Sequence, residues 1–161
     1  MHASEILAPV PSDKVYSRIS MSLGATGLRW VGKLNKPLYR LSGGRLGGKV
    51  GKAPVLLLTT TGRKSGQKRT APVVYLRDGE NVVVINTNAG NERVPAWSLN
   101  LKADPNAEVE VGRKRWAVRA RIAEGEERAT LWDRHMEQYS GWEDYKARLS
   151  REISVIVLEP R

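Results

Sequence analysis

The sequence predicts a mainly β fold with helices, an α+β protein in which about six short antiparallel strands close into a small barrel. Three observations point there. Apolar or β-branched runs of strand length recur between residues 55 and 158, tight-turn signals such as Asp78-Gly79 and Gly112-Arg113 join most of them, and two helical patterns precede the last run. The first three strands have no helix between them, which disfavours a doubly wound parallel sheet.

The elements follow in order. Residues 55–61 form a β-branched run closed by Gly62-Arg63-Lys64-Ser65-Gly66, and residues 69–76 form the second strand. Asp78-Gly79 turns the chain into a third strand at residues 81–87. Residues 95–103 read as a short helix, opened by Pro95 at its first position and closed before Asp104-Pro105. Residues 107–111 and 115–122 pair around Gly112-Arg113. A helix over 124–139 with acidic residues in its first turn and a shorter one over 142–149 lead to the last strand at 153–158. The expected organisation is a basic helical segment with a glycine-rich linker over 1–49, then a barrel domain over 50–161.

Composition narrows the function classes. The chain has 161 residues, a net charge of +10, no cysteine, and only His2 and His135 as histidines. Disulfides, Cys-ligated zinc, iron–sulfur clusters, cysteine nucleophiles and His-rich metal sites are therefore excluded. No apolar run is long enough to span a membrane as a helix, and the opening residues lack the pattern of a secretory signal, so a cytoplasmic location is expected.

The charge is concentrated. Residues 1–70 carry 13 basic and 2 acidic residues, and no acidic residue falls between Lys14 and Lys52. Val15, Ile19, Met21, Leu23, Leu28, Trp30, Val31 and Leu34 recur among these cations at broadly helical spacing. A basic amphipathic helix of this kind either lies peripherally on an anionic membrane face, through residues 14–41, or packs its apolar side on the protein. A third reading is a nucleic-acid-binding domain, but no RNP, zinc-finger or KH motif supports it and no nucleic-acid partner is expected. Gly43, Gly48 and Lys49 nearly spell a phosphate-binding loop, yet Val50 stands where a magnesium-binding hydroxyl is required.

Three clusters carry candidate chemistry. The turn Gly62–Gly66 holds two cations and a hydroxyl, with Arg69 and Thr70 following, and its glycines could aim backbone N–H groups at an anion. The alternative is an ordinary solvated hairpin. Pro95-Ala96-Trp97-Ser98-Leu99-Asn100 pairs a helix start with a flat aromatic wall, or simply packs on the barrel. Tyr139, Trp142 and Tyr145, spaced by three, suit either core packing or a lid over a flat ligand. His135 has no evident carboxylate partner and reads as structural or exposed.

Together these stretches resemble a known family, the deazaflavin (F420)-dependent nitroreductases and quinone reductases. The resemblance rests on Leu57-Leu58-Thr59-Thr60-Thr61-Gly62-Arg63-Lys64-Ser65-Gly66-Gln67, Arg69, Pro72 and Leu76-Arg77-Asp78-Gly79. It continues through Pro95-Ala96-Trp97, Asn100-Leu101-Lys102-Ala103, Pro105, Asp144-Tyr145 and Ile156-Val157-Leu158-Glu159-Pro160, covering about residues 50–160 in one order. It implies an FMN-binding-like split β-barrel that transfers a hydride from reduced coenzyme F420 to a quinone, enone or nitroaromatic acceptor. It also implies that Arg63, Lys64, Ser65 and Arg69 meet the anionic tail of the cofactor. Thr70, Ala71, Pro72, Val73 and Val74 would run along it, and Ile85, Asn86, Thr87, Asn88, Ala96, Trp97, Ser98, Leu99 and Asn100 would approach its ring.

Tyr145, with Thr87, is the candidate group for hydrogen bonding or protonating the acceptor, in a pocket shaped by Tyr139 and Trp142. Trp142 and Val74 replace tyrosines of a family nitroreductase, Asn88 a lysine and Thr87 a serine, so nitroimidazole reduction does not carry over. A non-catalytic carrier of F420, or less favourably of FMN, is the alternative. A monomer or homodimer is expected.

Overall fold

The computed structural model describes Arg18, Ser22, Gly27, Trp30 and residues 33–161. Of the amphipathic stretch, Val15, Ile19, Met21, Leu23, Leu28 and Val31 lie outside the described residues. A helix over 33–42 (α1) precedes β1 (Lys49–Val50), β2 (Ala53–Thr61), β3 (Lys68–Asp78) and β4 (Asn81–Ile85). Then come α2 (Ala96–Ala103), β5 (Asn106–Val111), β6 (Lys114–Ile122), α3 (Gly125–Gln138), α4 (Gly141–Arg148) and β7 (Val155–Pro160). The strands lie in the order β1-β2-β3-β4-β7-β6-β5, and β2 also pairs with β5. Every pairing is antiparallel, so six strands close the barrel and β1 adds a two-residue flap.

The period-2 alternation of the strands builds two cores. Leu56, Leu58, Val73, Val82, Val84, Val109, Val118, Ile156 and Leu158 point into the barrel, where Leu101 and Trp97 of α2 meet them at one end. Leu76, Val83, Ile85, Val155 and Val157 point outward beneath α3 and α4, which supply Leu131, Tyr139, Trp142 and Tyr145. The strands shared by both cores are buried on both faces, which is why they read as continuous apolar runs.

The differences from the sequence reading have local causes. β3 runs to Asp78 rather than 76, because its pairing with β4 continues to the Asp78–Asn81 turn. β4 ends at Ile85 rather than 87, where the backbone enters a loop with Asn88 and Ala89 at φ of 49° and 52°. The last strand starts at Val155, not 153, and extends to Pro160 opposite Val118. Pro95 is the N-cap of α2 rather than its first residue. α2 stops at Ala103 because a residue before proline is driven extended, and Asp104 sits at φ −138°.

The glycine-rich stretch after α1 folds back on itself. Gly44 N–H donates to Tyr39 O at 2.8 Å, Leu46 N–H to Ser42 Oγ at 2.9 Å, and Val55 N–H to Gly48 O at 2.8 Å. Gly44 takes φ 83°, and a Cβ there would lie 3.0 Å from Gly112 Cα, so only glycine lets this turn approach the β5–β6 turn. Tyr39, 1% exposed, fastens α1 to the barrel. Its hydroxyl accepts from Gly112 N–H at 2.9 Å and donates toward Val55 O at 3.1 Å and Glu110 O at 3.3 Å.

Candidate functional site

The strand registers bring three of the singled-out stretches to one end of the barrel. The β2–β3 turn projects there, since Thr61 pairs with Lys68. The loop leaving β4 and the start of β7 lie at the same end, since Ile85 pairs with Val155. α2 spans the two. Its Asn100 Oδ1 accepts Arg63 N–H at 3.1 Å while Asn100 Nδ2 donates to Thr60 Oγ1 at 3.0 Å, and Asn86 Nδ2 donates to Ser98 Oγ at 3.1 Å.

Much of the turn's backbone is engaged internally. Gly62 N–H donates to Gln67 O and Gly66 N–H to Gly62 O, both at 2.7 Å, and Gln67 N–H donates to Ser65 Oγ at 3.3 Å. With Arg63 N–H held by Asn100, the backbone amides of Gly62, Arg63, Gly66 and Gln67 are committed within the protein. Gly66 at φ 69° and the 2.8 Å that would separate a Gly62 Cβ from Ser65 Oγ show why glycine flanks this turn. Arg63, Lys64, Ser65 and Arg69 are all exposed, and among the described residues the three cations form no ion pair. Arg63 Nη1 is steered toward Asn100 Oδ1 at 3.4 Å.

The remaining predicted residues divide by face. On β3, Ala71 and Val73 belong to the barrel interior, whereas Val74 packs toward the helix-side core. Alternation puts Thr70 and Pro72 on the face of Val74, so these three can offer side chains to an external groove and Ala71 and Val73 only backbone. Thr70 Oγ1 shares a 2.8 Å hydrogen bond with Thr59 Oγ1. Ile85, Asn86, Thr87, Ser98 and Asn100 are buried, with the three amide and hydroxyl groups named above engaged in holding the end together. Ala96 is exposed, and Asn88, Trp97 and Leu99 are half-buried.

Tyr139, Trp142 and Tyr145 come together, but as packed core rather than as an open pocket. Tyr139 and Trp142 meet edge-to-face at 5.2 Å, Trp142 and Tyr145 at 5.7 Å, and none of the three is more than 4% exposed. His135 joins them edge-on to Trp142 at 6.0 Å and is structural, not exposed. Among the described residues no acidic, histidine or cysteine cluster could hold a metal ion.

Sequence reasoning missed Arg151, whose guanidinium reaches the carbonyls of Asn86, Thr87, Asn91 and Glu92. It also missed Tyr39 and the Arg40–Glu110–Arg115 pairs. At Glu110 burial works to raise the carboxyl pKa, and the two arginines more than offset it, holding it below the usual range. Their partners lie up to 73 residues away in sequence, so no local pattern signals them.

A closed antiparallel barrel with helices on one outer face and a cation-bearing hairpin beside a helix-capped end defines a split β-barrel protein. A sequence model of the F420H(2)-dependent quinone reductase family matches residues 30–160. An F420H(2)-dependent quinone reductase of Mycobacterium tuberculosis is 38% identical over 133 residues, covering 80% of this chain and 89% of that protein. A solved F420-H2 dependent reductase shares 34% identity over 66% of this chain and 94% of its own, with a TM-score of 0.61. A solved chain described as a domain-swapped dimer shares 31% over 81% and 98%, with a TM-score of 0.63. The chain belongs to the F420H(2)-dependent quinone reductase family, an oxidoreductase family that takes reduced F420 as cofactor and a quinone as hydride acceptor.

Proposed function

We propose that hydride transfer takes place at the hairpin end of the barrel, where Arg63, Lys64, Ser65 and Arg69 hold the anionic tail of F420. Thr70, Pro72 and Val74 border the groove on one side, and the stretches 85–88 and 96–100 border the ring. The observation that carries this reading is that Arg63, Lys64 and Arg69 cluster, exposed and without an ion pair among the described residues, on the hairpin that Asn100 ties to α2. Such a cluster fits a polyanionic tail, and the half-buried Trp97 beside it fits a flat ring.

Bound in its reduced form, F420 supplies the hydride that, with a proton, converts a quinone to its hydroquinone as the cofactor is oxidised. The protein's own residues do the rest. Asn100 pins the hairpin to α2, Asn86 and Ser98 pin α2 to the loop after β4, and both fix the cations relative to the ring site. Tyr145, with Thr87 nearby in the same end, supplies the hydrogen bond or proton to the acceptor. Tyr145 is 4% exposed, so this role requires α4 to open toward the groove. Enones and nitroaromatics extend the acceptor range in this reading.

The deciding experiment is a fluorescence titration with F420 beside FMN at two salt concentrations. F420 binds more tightly, and Arg63→Ala/Lys64→Ala weakens it roughly 10-fold or more at low salt, with a smaller loss at high salt. Equal affinity in both proteins would place the tail elsewhere. Binding without oxidation by any quinone would favour the carrier reading.

We further propose a second role for the segment before residue 50. Trp30, Leu34, Leu38 and Leu41 are 61%, 65%, 51% and 82% exposed and recur at four- and three-residue steps, with Lys33, Lys36 and Arg40 among them. No helix among the described residues is long and apolar enough to cross a membrane. An exposed apolar stripe flanked by cations suits peripheral binding at the cytoplasmic, anionic face of a bilayer, where quinones dissolve.

A further inference from the structure

The loop leaving β4 has hydrogen bonds of its own, among them Asn88 Nδ2 to Arg93 O, and is also gripped from outside. Arg151, between α4 and β7, donates through Nη2 to Asn86 O at 2.8 Å, Thr87 O at 3.2 Å and Asn91 O at 3.1 Å. Its Nε donates to Glu92 O at 2.9 Å. The loop returns the grip: Glu92 Oε1 accepts Ser150 N–H at 2.6 Å, and Asn86 Oδ1 accepts Ser154 N–H at 2.8 Å. Within this double strap lie Asn88 and Ala89, both at positive φ, a conformation that alanine leaves unless its surroundings hold it.

We infer that Arg151 is a positioning residue of the reductase, a fork that clamps the carbonyls of residues 86–92 and holds that loop in the one shape that faces cofactor and acceptor. The inference rests on the site reading above for what the loop borders, while the clamp itself rests on geometry alone. Arginine is required. Its planar donors reach carbonyls from both arms of the loop at once, which the compact ammonium of lysine does not do. No ion pair with a carboxylate holds Arg151 among the described residues, so its donors are spent on neutral oxygens.

The test compares wild type with Arg151→Lys and Arg151→Gln, first by amide hydrogen exchange without ligand and then by F420 titration and steady-state kinetics with a soluble quinone. Exchange should quicken about 10-fold or more at the Asn86, Gly90 and Asn91 amides, with the barrel and α3 unchanged. F420 affinity should fall about 10-fold and kcat should fall with it, in Arg151→Lys as in Arg151→Gln. Unchanged exchange in 86–92 would overturn the clamp. A uniform rise over the whole chain would make Arg151 a general stabiliser and overturn the positioning role, as would local loosening with unaltered F420 affinity and kcat. Wild type that binds no F420 would sink the site reading instead, and the exchange data would still decide the clamp.

Discussion

His135 lies at 0% exposure on α3, and burial, only partly offset by the Val83 backbone, pushes its pKa down to about 4. Between that value and the ordinary one the unfolded chain binds the proton and the folded chain does not. Stability is therefore full above about pH 6.5 and drains away as pH falls toward 4, by about 3 kcal/mol in all. The Glu110 carboxylate, held below its usual range, adds its loss only at lower pH. Urea unfolding at a series of pH values should show this fall in wild type and a nearly flat profile in His135→Phe; parallel profiles would mean that other groups govern acid stability. At the acceptor, Tyr145→Phe should leave F420 affinity near normal and slow quinone reduction. Unchanged turnover in stopped-flow would make water the proton source and leave Tyr145 as packing.

At the scale of elements, α1 is attached to the barrel chiefly through Tyr39, whose hydroxyl serves Val55, Glu110 and Gly112 in a buried position. Tyr39→Phe keeps the ring and orphans the Gly112 N–H, at a cost of about 1–3 kcal/mol in equilibrium unfolding. A loss within error would show that water replaces the hydroxyl. The barrel strands and the three following helices were legible because alternation, β-branching, Asp-Gly turns and prolines act locally. β1 was not, because a two-residue strand has no period, and it exists only where Lys49 meets Pro54 and Val50 meets Ala53. The loop at 88–93 was not legible either. Its shape rests on Arg151, far away in sequence, together with bonds inside the loop such as Asn88 Nδ2 to Arg93 O at 2.7 Å.

At the scale of the whole molecule, the apolar stripe of α1 predicts selective binding to vesicles. The protein should sediment with vesicles containing anionic lipid and much less with zwitterionic ones, and Trp30→Ser/Leu34→Ser/Leu38→Ser should abolish sedimentation without changing turnover of a soluble quinone. Equal sedimentation of the variant would move the contact elsewhere. Substitution is preferred to removing residues through 41, since that cut takes away Tyr39 and Arg40 and exposes the barrel side of Glu110.

The sequence by itself determined the barrel class, the cation-rich hairpin, the proline-started helix and the family resemblance, because each rests on short-range spacing and residue chemistry. What only the tertiary structure decided is which atoms those stretches still have to offer. The hairpin amides of Gly62, Arg63, Gly66 and Gln67 are consumed by Gln67, Asn100, Gly62 and Ser65. Asn86, Ser98 and Asn100 turn out to be braces, and the aromatic trio turns out to be core. Such roles depend on hydrogen bonds and burial between residues tens of positions apart, and a buried polar group must take whatever partner the fold brings to it.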